Sequence, residues 1–401
     1  MLAFAASAAV VASVLWTGVV PSPGGFANPL GISADAPDEA DGTEWAGLPA
    51  RSPPASSGLP AGPITVLTTS EREEGGDRAN FLAAVRANGS RLYYNDSLRV
   101  YNDVDPVPGT NATVLYVGAN RLSPSECDAE TACWLNVVEE VNLTTGGVRR
   151  LYAQKTSVRH GQWHDVDRVG EGRLLVADIA RDKAFVVNTT TGIHEWTWSA
   201  REDLPLSSGG PFPRDWTHVN DVELLGDGRV MVSLRNQDRV AFVHRQRGLQ
   251  ENWTLGAEDE YGILHEQHNP DFIPAERGGP AVVVADSEND RVVEYRRTDE
   301  GAWREAWSWS DDRLDWPRDA DRLPNGHTLV TDTKGGRVLE IADNGTVVWR
   351  VEVEGAYDAE RLGTGDESAG GPAAGSGGPA TTAGGPVANG SAESRLSAVA
   401  A

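Results

Sequence analysis

The sequence predicts an all-β protein, a six-bladed β-propeller closed by pairing N-terminal strands with a C-terminal inner strand. Three observations carry this: a recurring acidic phrase, a hairpin built on one copy of that phrase, and unmatched strands at the two ends of the array. The phrase is a polar residue and a two-residue acidic alternation, leading in most copies into a turn and a β-rich run. It occurs as Asn102-Asp103-Val104-Asp105, His164-Asp165-Val166-Asp167, Asn220-Asp221-Val222-Glu223, His268-Asn269-Pro270-Asp271, Arg318-Asp319-Ala320-Asp321 and Tyr357-Asp358-Ala359-Glu360. Repeats at spacings of roughly 40 to 60 residues fall in the range of propeller blades.

The third copy shows the unit most clearly. His218 to Leu225 alternates, Gly226-Asp227-Gly228 is a tight turn, and Arg229 to Leu234 alternates again. Val240 to His244 and Asn252 to Leu255 complete a four-stranded meander, the unit of a propeller blade. Folding the hairpin about its turn sets Arg235 level with Val219, beside His218.

The last phrase, Tyr357 to Leu362, has no strands after it, whereas Ile64 to Thr68, Asn80 to Arg86 and Arg91 to Tyr94 are strands with no phrase before them. One blade built from both ends leaves no open sheet edge. The innermost strands start at the central channel, so Asn102, His164, Asn220, His268, Arg318 and Tyr357 should form a ring at its mouth. Side chains two apart share a face, which adds His218 and Glu266. The acids after the ring, such as Asp165, Asp221 and Asp319, are expected to point away from the channel and bond turn amides.

Composition bounds the rest. The 401 residues carry 59 acidic and 35 basic side chains, a formal charge of −24, which excludes a nucleic-acid partner for want of a basic footprint and suits a high-salt milieu. Residues 1–20 are apolar and uncharged, and the first basic residue is Arg51, so the segment reads as a signal peptide or an uncleaved membrane anchor. Residues 21–63, rich in Pro, Gly, Ala and Asp, read as a disordered linker, 64–362 as the propeller, and 363–401 as a low-complexity tail. Export to the cell surface or beyond agrees with sequons at Asn88, Asn95, Asn111, Asn142, Asn188, Asn252, Asn344 and Asn389. Cys127 and Cys133 bracket a short loop and read as a disulfide, with a buried free pair as the alternative. Oligomeric state is not readable.

The ring is rich in His and Arg. His160 and His164, or His265 and His268, have spacings that suit zinc on a helix. On a strand, residues four apart lie roughly 13 Å from one another and residues three apart face opposite ways, so no metal is expected from either pair. One His from each of several blades remains a possible zinc set. Neutral imidazole suits nucleophilic use better, since it can carry a transferred group while Arg235, Arg318 and neighbouring His side chains donate to its oxygens. No Gly-rich phosphate loop or Ser elbow is present, and no cofactor is expected. His160, His244, His265 and His327 are assigned structural roles. Trp163, Trp216 and Trp316 could wall a phenol site but more often such residues pack between blades.

Asp215-Trp216-Thr217-His218-Val219-Asn220 followed by Ser233-Leu234-Arg235-Asn236-Gln237 resembles the arylsulfate sulfotransferase family, as do Trp163-His164-Asp165-Val166 and Gln267-His268-Asn269. The resemblance covers roughly Ile64 to Leu362. It implies a six-bladed propeller that moves a sulfuryl group from a phenolic sulfate ester to another phenol without a nucleotide donor. By motif, His268 resembles the histidine that becomes sulfated, and His164, His218 and Arg235 the residues that hold and polarise the sulfate. Asn220, Arg318, Asn102 and Tyr357 are the expected substrate-binding residues around them. The chain departs from the family at Asn236, where a His is usual, and residues before Ile64 cannot supply the N-terminal β-domain that bacterial members carry, so dimerisation is not implied. The alternative of a different class is a non-catalytic surface propeller that binds a ligand, glycan or protein partner through the same mouth.

Overall fold

A computed structural model describes residues 62–70, 80–156, 161–365 and 370–375. The expected signal or anchor at 1–20, nearly all of the linker, His160 and Asn389 lie outside them. Six antiparallel sheets, each four strands deep, follow one another around a channel. From the innermost strand outward, blade 1 is Ala356–Arg361, Ile64–Thr69, Leu82–Arg86 and Arg91–Asn95; blade 2 is Val100–Pro106, Thr113–Leu122, Cys133–Asn142 and Val148–Thr156. Blade 3 is Val166–Gly170, Arg173–Asp178, Lys183–Asn188 and His194–Ser199; blade 4 is Val219–Leu224, Arg229–Leu234 and Arg239–His244 with a split edge. Blade 5 is His268–Ile273, Ala281–Asp286, Arg291–Arg297 and Trp303–Trp309; blade 6 is Pro317–Arg322, Thr328–Asp332, Arg337–Ile341 and Val347–Glu352.

The closure is as the sequence reading has it: Ala356–Arg361 pairs antiparallel with Ile64–Thr69, with Val66 opposite Glu360. The expected fourth strand of blade 4 is corrected. Asn252 falls in a 3-10 turn, Glu251–Trp253, and two short pieces, Gly248–Leu249 and Leu255–Gly256, serve as the edge instead. Trp253 leaves the sheet there because its ring packs against Phe242 and under Arg229.

Apolar runs such as Ala281-Val282-Val283-Val284-Ala285 bury both faces, because each sheet is sandwiched between two others. The core is accordingly a set of wedges between neighbouring blades. Phe242 and Met231 meet Val282 and Val284 between blades 4 and 5, and Trp216 lies among blade 3 and blade 4 side chains. Trp163 is fully buried in the corresponding wedge between blades 2 and 3. Outer strands are half exposed, as the alternation in His194–Ser199 shows.

Cys127 and Cys133 form a disulfide with an S–S distance of 2.08 Å, closing the tip of the central hairpin of blade 2. The tail boundary moves. Residues 370–375 pack on the propeller, with Ala373 N–H donating to the Arg277 carbonyl at 3.0 Å and Arg296 Nη2 to the Ala374 carbonyl at 2.6 Å. Small residues are needed here, since a Cβ on Gly371 would lie 1.9 Å from the Leu323 carbonyl oxygen. Among the sequons, Asn88, Asn111, Asn252 and Asn344 are exposed, while Asn142 and Asn188 are half-buried and cap their own turns. Asn95 is corrected: it is 0% exposed and accepts from Ser97 N–H and the Tyr101 hydroxyl, leaving no room for a glycan.

Candidate active site

The site starts from a shared local device. A short turn follows the second strand of blades 3, 4 and 5 and ends in an aspartate with left-handed backbone: Asp182, Asp238 and Asp290, at φ of 53°, 52° and 48°. Asp tolerates this conformation because its short side chain bonds nearby amides. Each carboxylate then holds the entry to the next blade. Asp182 accepts from Thr217 N–H at 3.1 Å, Asp238 from Glu266 N–H at 2.9 Å, and Asp290 from Trp316 N–H at 2.9 Å. His218, Glu266 and Trp316 are themselves left-handed, at φ of 51°, 47° and 57°. Strain of that kind persists where surrounding bonds hold it, and here it re-aims the chain just before each inner strand.

Six expected residues come together at the mouth. The His164 ring lies 5.2 Å from that of His218 and 5.9 Å from that of Tyr357, both edge-on. The Arg318 guanidinium stands 4.6 Å from the Tyr357 ring and 4.3 Å from that of Trp316, and Trp316 in turn meets the edge of His268 at 5.4 Å. Arg235 Nη1 is 3.3 Å from His218 Nδ1, and its Nη2 pairs with Glu266. The register differs by one from expectation: Leu234 opposes Val219, and Asn220 is a bulge, so Arg235 comes level with His218 itself.

Hydrogen bonds set the imidazole tautomers. The Ser287 hydroxyl donates to the Pro317 carbonyl at 2.6 Å, so its oxygen accepts from His268 Nδ1–H at 2.8 Å. The lone pair of His268 is therefore on Nε2. Burial first, then the positive charges of Arg318 and Arg235 and the nearby His218 and His164, hold this imidazole well below its ordinary pKa and keep it neutral. His164 Nδ1–H donates to the Gln162 carbonyl at 3.1 Å, and His218 Nδ1–H to the Asp215 carboxylate at 2.5 Å. The arrangement offers a buried unprotonated nitrogen, two Arg and two further imidazoles, which suits an oxyanion-bearing group.

Asn102 and Asn220 sit on the ring but serve the backbone. Asn102 Nδ2 donates to the Trp163 carbonyl at 2.7 Å and its Oδ1 accepts from Ser70, so both ends are committed and its expected substrate contact is corrected. Asn220 Nδ2 donates to the Gln267 carbonyl at 2.9 Å. Each thus fixes the residue that precedes a site histidine. Asn236 Nδ2 donates to the Asp215 carbonyl at 2.6 Å and its Oδ1 accepts from Arg235, tying the two motifs together. Of the three tryptophans, Trp163 and Trp216 pack between blades and Trp316 reaches the site. Ser287 was missed by sequence reasoning. Its signal was positional, since it directly follows the second strand of blade 5 as Arg235 directly follows that of blade 4.

Below the ring, the expectation that the acids point away from the channel is overturned. An innermost strand has one edge without a sheet partner, and its amides need acceptors. Neighbouring blades supply them. Asp103 accepts from Val166 N–H at 3.2 Å, Asp165 from Val222 at 2.6 Å, Asp319 from Ala359 at 3.2 Å and Asp358 from Val104 at 2.6 Å. A second tier repeats the pattern, with Asp167, Glu223 and Asp271 accepting from Leu224, Phe272 and Arg322. The acidic phrase is therefore a girdle that joins blade to blade.

The girdle carries a pH signature. Burial, then neighbouring carboxylates, pushes Asp103, Asp221, Glu223, Asp319 and Glu360 up, as burial and Asp167 do for Asp165. Burial lifts Asp358 to about 6, and it shares side-chain hydrogen bonds with Asp319 and Asp103. A carboxyl raised in the fold binds its proton more tightly folded than unfolded, so its stabilising protonation is present near pH 4 and lost as pH rises through the folded value. For Asp358 the window runs from about pH 4 to 6. His268 and His194, both held below the ordinary value by burial first, have the opposite sign, losing stability as pH falls below about 6.5, but they are two groups against seven. Scanning calorimetry at pH 5, 6, 7 and 8 should show melting temperature falling with pH, and Asp358→Asn should flatten the fall. A wild-type profile that rises over this range would contradict the girdle assignment.

No protein-family model matches the chain, and no curated protein matches it in sequence. Solved structures do. A protein of unknown function from Bacteroides caccae is similar at 12% identity and a TM-score of 0.52, covering 75% of this chain and 99% of its own. The periplasmic gluconolactonase of Pseudomonas aeruginosa is similar at 15% identity and 0.45, covering 75% and 99%, and a virginiamycin B lyase from Staphylococcus aureus at 8% and 0.41, covering 71% and 84%. At such identities the likeness concerns the fold.

Proposed function

We propose that the chain is an exported sulfuryl transferase that uses His268 Nε2 as nucleophile, with an aryl sulfate as donor and a phenol or other hydroxyl compound as acceptor. The observation that carries this reading is the state of His268: buried, neutral, with Nδ1–H committed to Ser287 and its charge environment made by Arg318, Arg235, His218 and His164. A sulfate ester brings three oxygens that need donors and a sulfur that needs an in-line nucleophile. Arg235 and Arg318 supply the donors, and the Trp316 ring, with Arg318 over it, stands beside the nucleophile.

In the first half-reaction the Nε2–S bond forms as the S–O(aryl) bond breaks, and the phenolate takes a proton on leaving. In the second, an acceptor hydroxyl attacks sulfur, loses its proton, and the N–S bond breaks to restore neutral His268. The His218–Asp215 pair is the proton carrier in both, since Asp215 is half-buried and connects the imidazole to solvent. The disulfide supports an oxidising compartment.

The test is intact and peptide mass spectrometry, in high salt, after brief exposure of the protein to a chromogenic aryl sulfate without acceptor. The expected result is a sulfuryl increment on the peptide that holds His268, with one equivalent of phenol released. Folded protein that yields neither would favour the non-catalytic binding propeller.

A further inference from the structure

The girdle has one defect, and it lies in blade 4. Each inner Asp meets the amide that follows the corresponding position of the next blade: Asp103 meets Val166, Asp165 meets Val222, Asp319 meets Ala359 and Asp358 meets Val104. By the same rule Asp221 faces residue 270, which is proline and has no N–H. Asp221 is 0% exposed, and neither Oδ1 nor Oδ2 has a hydrogen-bond partner. The next girdle position is Asn269, a carboxamide where the other five blades place a carboxylate, and its Oδ1 is also unpartnered.

We propose that this gap is a binding site for a hard divalent cation of the calcium type, with Asp221 as its charged ligand and water and carboxamide oxygen completing the shell. Ionising a buried carboxyl without donor or counter-ion costs several kcal/mol, and a cation that displaces its proton removes that cost. The groups that influence Asp221 most after burial are further carboxylates, Asp165, Asp167, Asp358 and Asp271, so the surroundings attract positive charge. The offered atoms are oxygens, which fits calcium or magnesium and not zinc or copper. Among the described residues no three His, Cys, Asp or Glu side chains converge on one point at ligand distance. The proposed site therefore holds one carboxylate, and a carboxamide and water must supply the remaining ligands, as calcium and magnesium accept.

The experiment uses the full chain, stripped with a chelator and dialysed in high potassium chloride against calcium, with magnesium and manganese in parallel. Bound metal is counted by elemental analysis and the melting temperature is recorded. Wild type should hold about one more cation per chain than Asp221→Asn, whose affinity should fall at least about 10-fold. Asp221→Asn should also melt higher than wild type in chelator and lose the calcium-dependent rise. Pro270→Ala keeps every carboxylate and gives Asp221 its missing donor, so it too should weaken binding. Weak binding equal in all three proteins, or none with any of the three metals, overturns the proposal. The readouts are metal content and melting, so the outcome is independent of whether the sulfuryl-transfer reading holds.

Discussion

Replacing His268 with alanine is expected to lower the phenol-release rate at least about 10³-fold and to abolish the sulfuryl increment. The size reflects how few nucleophiles the site holds. His218 has its Nδ1 on Asp215 and belongs to proton transfer, and the arginines are cationic. Ser287→Ala, which removes the acceptor from His268 Nδ1, should cost less, about 10-fold, because the ring keeps its wedge position but loses its preferred tautomer. Wild type should release phenol at an undiminished rate as pH falls from 8 to about 6, because burial and the two guanidiniums keep the imidazole unprotonated through the range where a free histidine titrates. A rate that halves near pH 6.5 would show an ordinary exposed histidine as nucleophile. Stopped-flow absorbance with a chromogenic donor reads all three quantities.

The largest stability effect belongs to Arg322. Arg322 closes the inner strand of blade 6 and donates to Glu294 of blade 5 at 2.9 Å, with the two side chains 2% and 0% exposed. Its guanidinium also stacks at 4.7 Å on Trp307, and Glu294 accepts from Ala374 N–H of the docked tail at 2.9 Å. Arg322→Ala therefore leaves the buried Glu294 carboxylate with only its longer, more exposed pair to Arg296 at 3.4 Å and opens a gap between two blades. Breaking such a pair costs about 3–5 kcal/mol, which for a domain of this size is roughly 10 °C in melting temperature. Arg173→Ala is the control. Its pair with Glu195, 2.6 Å long but 44% and 32% exposed, is screened by solvent and should leave the melting temperature almost unchanged when broken. Equal effects for the two substitutions in thermal unfolding would contradict the buried-pair account.

Much of the architecture was legible because it is written locally. Alternation in Arg229 to Leu234, the Gly226-Asp227-Gly228 turn and the unmatched strands at Ile64 and Tyr357 each depend on a few adjacent residues, and their repetition around the chain leaves a closed ring of sheets as the consistent solution. Six of the ring and hairpin residues named from sequence, His164, His218, Arg235, His268, Arg318 and Tyr357, meet at one mouth for the same reason: each stands at a strand end whose place in the blade is set by the repeat.

The direction of every polar group whose partner lies in another blade was not decided by the sequence alone. Asp165 bonds an amide 57 residues away, so its role as girdle rather than turn cap depends on how two sheets are set side by side. Ser287 became the partner of His268 through a 19-residue separation across a turn, and Asn102 reached past the ring to a carbonyl 61 residues on. The Gly- and Ala-rich segment at 370–375 looks unstructured by composition, yet it orders because a narrow groove admits only small side chains. Local pattern determines which residues form strands and where those strands end. Which buried amide meets which carboxylate, and that Asp221 meets a proline instead, is settled only when six sheets close on one another and every inward carboxylate must find a donor or do without.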